Sequence, residues 1–213
     1  DAIISFVKQG NSEKLADCVR ELLDRYPSFV LNSVMNILGT HDTARILSAV
    51  GEFSEKGKTK EELARMRYDG ADYELAKNRV KAAALLNFTL VGVPCIYYGD
   101  EIGMQGFADP LNRMYFEWEN QDEELLSFFR TLGKIRKDCS ALKDGKLEIL
   151  YSYNGAFVFT RKNEWSEILV AVNFGKQEKY IRFEGKLKNA LTNEVSDSEI
   201  ILKNGEYGAF YAI

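Results

Sequence analysis

The polar cluster most suited to catalysis is Gly-Thr-His-Asp-Thr at residues 39–43. It places the only histidine, His41, beside Asp42, and Arg45 follows three positions later. The cluster comes directly after a short apolar segment that is typical of a buried strand. In parallel α/β barrels the catalytic groups lie at this C-terminal end of the strands. A turn or a helix cap would use the same residue types, so the pattern alone favours a catalytic and a structural role about equally.

A second cluster follows the apolar run Gly-Val-Pro-Cys-Ile-Tyr-Tyr at residues 92–98. Asp100 and Glu101 again place carboxylates just after a predicted strand. Neighbouring side chains diverge, so both acids are not expected in one site. The structural alternative is a loop in which these acids bind backbone N–H groups or pair with Arg113.

Residues 51–59 contain a glycine followed by Gly-Lys-Thr and superficially match a phosphate-binding loop. Five residues separate the two glycines, whereas the phosphate loop requires four. Glu52 and Glu55 would also repel phosphate. The sequence therefore argues against nucleotide binding here.

The first two thirds of the chain alternate between helical and strand patterns. Helices are predicted at residues 12–26 and 121–137 from apolar residues at helical spacing, and at residues 74–91, which become increasingly apolar before Gly92 and Pro94. Short buried strands are predicted at residues 32–38 and 95–98. Two strands joined by a helical crossover indicate a parallel βαβ unit. Because two strands do not make a stable open sheet, this part is expected to be a slice of a larger α/β structure.

The pattern changes near residue 145, after which apolar residues alternate with a period of two. Asn154-Gly155 lies between two such segments and predicts a hairpin turn. Residues 145–213 are therefore predicted to form a small antiparallel β-sandwich domain, following an α/β part at residues 1–140.

The bulk composition excludes several classes of function. The net charge of −4 provides no basic surface for nucleic acid or for a membrane. Three widely spaced cysteines form no CxxC pair, which favours free thiols and a reducing, cytoplasmic compartment over a disulfide framework or zinc site. No signal peptide is visible, but the sequence also lacks an initiator methionine, so we expect it to be part of a longer protein.

Taken in order, the two polar clusters resemble signature regions of the α-amylase family of glycoside hydrolases. Residues 36–45 resemble the His-Asp region after barrel strand seven, and residues 92–104 resemble the Gly-Val-Pro-x-Ile-Tyr-Tyr-Gly-Asp-Glu stretch at strand eight. The sequences of these two segments are most similar to those of the neopullulanase, cyclomaltodextrinase and maltogenic amylase group. Asp109-Pro110 and Arg113 also fit that outline, but Asn112 to Trp118 replace its usual paired arginine and Pro-Met-Pro-Trp.

This resemblance implies the last two strands and helices of a TIM (β/α)8 barrel followed by the β-sandwich. It implies that Asp42 stabilises the transition state and that His41, Arg45 and Arg113 bind the substrate, with Asn36 and Arg45 supporting the loop. The expected partners are α-glucan oligosaccharides such as maltooligosaccharides, cyclodextrins or pullulan. No cofactor or metal is expected; calcium occurs in many relatives, but no cluster of oxygen ligands is evident here.

In this family the nucleophile and the acid/base follow strands four and five, and no segment of the chain resembles either region. The chain alone is therefore expected to be inactive, and the exposed strands of an incomplete barrel could make it dimerise. A non-catalytic carbohydrate-binding or structural module is the alternative. Trp165, in a polar turn, is its best candidate for stacking on a sugar, since alternating aromatic residues such as Phe157 and Phe159 are usually core.

Overall fold

A computed structural model describes residues 1–213. Helices dominate the first 144 residues, and their bounds are α1 (Ala2–Gln9), α2 (Ser12–Arg25), α3 (Ser28–Leu31), α4 (Ile46–Val50), α5 (Lys60–Arg65), α6 (Gly70–Thr89), α7 (Glu123–Asp138) and α8 (Ala141–Asp144). The three helices predicted from the sequence correspond to α2, α6 and α7 and are confirmed. The sequence patterns did not predict the five shorter helices α1, α3, α4, α5 and α8.

Two short strands, β1 (Met35–Ile37) and β2 (Val93–Cys95), form a parallel pair, as predicted. They are shorter than expected, and β2 begins two residues earlier and includes Pro94. The prediction that both strands are buried is wrong for the face of β1 that carries Met35 and Ile37. Met35 is 70% exposed and Ile37 51% exposed, because no element of this chain covers them.

The long helix α6 lies at the centre of the helical part. Five consecutive residues, 82–86, are all fully buried, so this helix is covered on every side. It contacts α1, α4, α7 and β2. Helix α7 packs its predicted apolar face against α6, with Leu125 and Leu132 buried. Its N-cap is Asp122, whose carboxylate accepts a 2.8 Å hydrogen bond from the Leu125 N–H.

The last part of the chain is an antiparallel sheet, as predicted. Its strands are β3 (Lys146–Tyr151), β4 (Ala156–Lys162), β5 (Glu167–Asn173), β6 (Lys179–Asn189), β7 (Val195–Leu202) and β8 (Glu206–Ala212), in the order β3-β4-β5-β8-β6-β7. The turn between β3 and β4 has left-handed backbone at Asn154 (φ 53°) and Gly155 (φ 80°), which is the geometry of the predicted Asn-Gly hairpin.

The strands form one continuous sheet instead of the two separate sheets of a predicted sandwich. A second, smaller core lies within this part of the chain. Leu187, Ile200 and Leu202 of the β6–β7 hairpin pack with Val158 and Phe210, so the hairpin folds over one face of the sheet.

The opposite face of the sheet shares its core with the helices. A single cluster of 34 buried residues includes Phe6 of α1, Leu86 of α6 and Phe157 of β4. The division into domains at residues 1–140 and 145–213 stays a prediction, because this cluster is continuous across it. None of the helices combines the length and the apolar character needed to cross a bilayer.

Candidate active site

The loop after β1 presents the His41–Asp42 pair to solvent. His41 Nε2 lies 3.0 Å from Asp42 Oδ2, and the two side chains are 66% and 71% exposed. Parallel strands end at the same edge of a sheet, so this loop lies beside the one that follows β2. The pair is therefore open to a ligand at the C-terminal ends of both strands.

Arg113 comes from the segment after β2 and reaches the same place. Its Nη2 lies 3.5 Å from Asp42 Oδ1, and its Nε donates a 3.0 Å hydrogen bond to the His41 carbonyl. The same Nε lies 2.8 Å from Asp109 Oδ1. The structure thus brings together three of the four predicted site residues: Asp42, His41 and Arg113.

Arg45, the fourth predicted residue, lies beneath the loop and is fully buried. Its Nη1 donates a 2.6 Å hydrogen bond to the Tyr98 carbonyl and lies 3.6 Å from Asp100 Oδ1. Its guanidinium carbon is 4.7 Å from the centre of the Tyr98 ring. The expectation that Arg45 contacts substrate does not fit this burial, whereas a role in supporting the loop does.

Asp100 is also buried, with 4% of its surface exposed. Burial raises the pKa of Asp100 to about 7, because desolvation disfavours the charged carboxylate more than the nearby Arg45 cation favours it. The alternative that Asp100 or Glu101 pairs with Arg113 is wrong, since Arg113 pairs with Asp42 and Asp109. Asp100 therefore joins Arg45 in the support beneath the site.

Sequence reasoning missed Asn112, which is fully buried behind the His41–Asp42 loop. Its Nδ2 donates to the backbone carbonyls of Thr40, His41 and Thr43 at 3.2, 2.8 and 2.6 Å. The only available signal was its place beside Arg113, within a stretch that shows no periodicity. Asn36, expected to support the same loop, instead donates a 2.6 Å hydrogen bond to the Val91 carbonyl just before β2.

The other sequence candidates are accounted for by local structure. Thr59, the last residue of the glycine-rich segment, caps α5: its hydroxyl accepts from the Glu62 N–H at 3.2 Å, and its own N–H donates to the Glu62 carboxylate. Phe157 and Phe159 are fully buried core residues, whereas Trp165 is 83% exposed. No group of three or more histidine, cysteine, aspartate or glutamate side chains is arranged to hold a metal ion.

Comparison with known proteins agrees with this fold. Residues 6–140 match the α-amylase catalytic domain. This match covers more than half of the chain and includes both strands and the His41–Asp42 loop. The chain therefore belongs to the α-amylase family, the family that the sequence resemblance identified.

The curated relatives are glycoside hydrolases of this family. An amylopullulanase of Thermoanaerobacter thermohydrosulfuricus is 38% identical over 152 residues, which cover 71% of this chain and 10% of the relative. A cyclomaltodextrinase of Thermoanaerobacter pseudethanolicus is 30% identical over 210 residues, which cover 97% of this chain and 31% of the relative. The chain thus spans between a tenth and a third of the length of these two relatives.

Solved structures share the fold over the whole chain. An α-amylase of Anoxybacillus superimposes with a TM-score of 0.79 at 22% identity, covering 100% of this chain and 45% of that one. A cyclomaltodextrinase gives a TM-score of 0.75 at 24% identity, covering 98% and 35%. At these identities the likeness concerns the fold alone, and it extends over both the helical part and the antiparallel sheet.

Proposed function

We propose that this chain is part of a retaining α-glucan hydrolase, in which Asp42 stabilises the transition state and His41 and Arg113 bind the sugar. The observation that carries the proposal is the open His41–Asp42 pair, which Arg113 joins from the neighbouring strand end. Arg45 supports the loop from below. Two polar segments far apart in sequence therefore contribute to one exposed cluster.

The chemistry of glycoside cleavage suits this arrangement. The sugar ring develops positive charge in the oxocarbenium-like transition state, and a nearby carboxylate stabilises that charge. Asp42 is 71% exposed, its Oδ2 lies 3.0 Å from the His41 ring, and the Arg113 cation lies 3.5 Å from its Oδ1. His41 and Arg113 also have N–H groups that can donate hydrogen bonds to sugar hydroxyls.

The proposal assigns the nucleophile and the acid/base to residues outside this sequence. Retaining enzymes need two carboxyl groups about 5–5.5 Å apart on either side of the scissile bond. Near Asp42, Asp100 is buried with Arg45 and Asp109 is paired with Arg113. The 213-residue chain alone is therefore proposed to be inactive, as the last two strands of a (β/α)8 barrel with its following β domain.

The proposed substrates are α-1,4-linked and α-1,6-linked glucans, among them maltooligosaccharides, cyclodextrins and pullulan. The names of the relatives support this class, since they include amylopullulanase, cyclomaltodextrinase and maltogenic α-amylase. A cytoplasmic location is part of the proposal and is supported by three free cysteines, one of which is exposed.

The test is turnover by the whole protein that contains this chain. Asp42→Asn should lower kcat on maltooligosaccharides by orders of magnitude and leave the fold intact. Asp17→Asn is the matched control, because Asp17 is an exposed carboxylate on α2 that pairs only with Arg20. If Asp42→Asn turns over as fast as Asp17→Asn, Asp42 does not have the proposed role.

A non-catalytic carbohydrate-binding module remains the alternative, because the 83% exposure of Trp165 leaves an aromatic face free for a sugar. Retardation of the chain on starch or cyclodextrin gels should be lost in Trp165→Ala if this alternative is correct. Equal mobility of both proteins with and without glucan would eliminate it.

Self-association of the chain also belongs to the proposal. Phe29, Met35 and Ile37 are 73%, 70% and 51% exposed around the uncovered β1 strand. Large exposed apolar surfaces favour association in water. Sedimentation of the 213-residue chain should show a dimer, and introducing Met35→Lys should restore the monomer; a monomer at all concentrations would contradict this part.

A further inference from the structure

Asn112 is bound to the backbone of the loop that carries His41 and Asp42. Its side-chain amide faces the carbonyl oxygens of Thr40, His41 and Thr43, all within 3.2 Å. Three acceptors require a donor, so the atom that faces them is the nitrogen and not the oxygen. One amide N–H is shared between two carbonyls, since the group has two hydrogens.

Along the chain, these three carbonyls flank the His41–Asp42 pair. The His41 carbonyl belongs to the peptide that joins His41 to Asp42, and the Thr40 and Thr43 carbonyls lie on either side. Two side-chain bonds of the turn, from the Thr40 N–H to Thr43 Oγ1 at 3.0 Å and from the Asp42 N–H to Thr40 Oγ1 at 3.1 Å, lie at exposed positions. Water competes with exposed bonds, so the buried amide is the stronger constraint on the backbone.

We propose that Asn112 is a positioning residue that fixes the backbone of His41 and Asp42 in the orientation the reaction needs. The three hydrogen bonds from the Asn112 amide form a clamp on this loop. The importance of the clamp for catalysis rests on the proposed role of Asp42, whereas the clamp itself does not. Arg113, the next residue, acts on the same loop through its bond to the His41 carbonyl. Asn112 and Arg113 thus fix the loop from the buried and the exposed side.

The single histidine provides the test. His41 is the only one in the chain, so the imidazole signals in a proton NMR spectrum of the 213-residue chain belong to it. Asn112→Asp keeps the shape but sets an oxygen against three carbonyl oxygens, so these signals should shift or broaden. The matched control is Asn173→Asp, because Asn173 is also fully buried and donates to two carbonyls, of Gln177 and Leu202, at 2.9 and 2.8 Å.

The clamp is supported if Asn112→Asp changes the His41 signals and Asn173→Asp leaves them in place. Unchanged signals in a folded Asn112→Asp chain would overturn it. If that variant does not fold, the unmodified chain decides: the Asn112 side-chain amide protons should exchange with solvent at least tenfold more slowly than those of exposed Asn193. Equal exchange would overturn the clamp as well.

Turnover of the whole protein separates the clamp from the proposed function. Small misplacement of catalytic groups can cost about a hundredfold in rate, so Asn112→Asp should lower kcat by roughly tenfold to a hundredfold with little change in KM. Shifted His41 signals together with unchanged kcat would mean that the clamp exists but that this loop is not catalytic. Unchanged signals with a lowered kcat would overturn the clamp and leave the proposed function standing.

Discussion

The Arg45 guanidinium is bound to the backbone of Tyr98, with Nη1 2.6 Å from the Tyr98 carbonyl oxygen. Residue 45 ends the loop after β1, and residue 98 lies in the loop after β2. Asp100 Oδ1 lies 3.6 Å from the same nitrogen and is likewise buried. The buried Arg45 and Asp100 therefore join the two loops that present Asp42 and Arg113. Because Asp100 can ionise, this support beneath the site is sensitive to pH.

The first prediction concerns that pH dependence. Asp100 has its pKa raised from 3.8 to about 7 in the folded chain. The folded state then binds a proton more tightly than the unfolded state, so the free energy of unfolding falls as pH rises through this window. Between about pH 5 and about pH 8 the expected loss is roughly 2–3 kcal/mol, from about 1.4 kcal/mol per unit of pKa.

Urea denaturation at both pH values measures this loss. Asp100→Asn cannot ionise, so its free energies of unfolding at the two pH values should lie closer together than those of the unmodified chain. The acids with lowered pKa values, such as Glu124 at about 2, titrate below this window and do not contribute to it. An equal loss in both proteins would show that Asp100 does not titrate here.

The second prediction concerns Gly39, which leaves room for Asp100. A Cβ atom at Gly39 would lie 2.5 Å from Asp100 Oδ2, too close for a carboxylate that is buried and bound to Arg45. Gly39→Ala should therefore lower the free energy of unfolding by about 1–3 kcal/mol, the usual cost of overpacking.

Gly133→Ala is the contrasting change, measured in the same chemical denaturation experiment. Gly133 lies in α7 with nothing within 4 Å of an added Cβ, so alanine should stabilise the chain by about 0.5–1 kcal/mol. If both substitutions change the free energy of unfolding in the same direction, the space beside Asp100 is not the reason why residue 39 is glycine.

The third prediction concerns Lys77, which joins α6 to the start of α7. Its ammonium lies 2.8 Å from Glu124, 3.3 Å from Asp122 and 2.9 Å from Glu74, and its side chain is only 8% exposed. Lys77→Ala leaves Asp122, 14% exposed, without its cation. Breaking a largely buried pair in this way should cost about 2–4 kcal/mol.

Lys162→Ala provides the comparison in thermal or chemical unfolding. Lys162 and Glu167 form an ion pair at 2.7 Å with side chains 66% and 47% exposed. Water screens exposed ion pairs, so this substitution should have little effect on the free energy of unfolding. If Lys77→Ala lowers the free energy of unfolding no more than Lys162→Ala does, the burial of Lys77 does not strengthen its ion pairs.

The sequence predicted those parts of the fold in which local pattern and tertiary packing agree. Helix α7 has one apolar face, α6 is a long and largely apolar segment, and Asn154-Gly155 has the turn chemistry that its left-handed backbone requires. Strand β2 was placed two residues late because Pro94 argues against a strand. Proline is tolerated there because β2 pairs on one edge only, with β1.

The site was predicted in part, for a physical reason. His41, Asp42 and Arg113 are residue types that carry their chemistry in their side chains, so their positions in the sequence identify them. Asn112 acts by bonding backbone carbonyls from 69 to 72 residues away, and no local pattern indicates such a contact. The burial of Arg45 depends in the same way on Tyr98 and Asp100, which follow β2.

The last prediction concerns the union of the helical part and the sheet. Arg161 of β4 is fully buried, and it donates to the Gly145 carbonyl through Nε and to the Thr89 carbonyl at the end of α6 through Nη1, both at 3.0 Å. Burial lowers the pKa of Arg161 to about 10, which still leaves it charged at neutral pH. The hydrophobic cluster that runs from Phe6 to Ala209 surrounds the same junction.

Because one core and one buried arginine join the two parts, we expect a single unfolding transition. In calorimetry the van't Hoff and calorimetric enthalpies should agree, as they do for a two-state unit. Arg161→Ala leaves two buried carbonyls without a donor and should lower the free energy of unfolding by about 2–4 kcal/mol. Two separate transitions in the unmodified chain would instead make the helical part and the sheet independent folding units, with a boundary near residues 140–145.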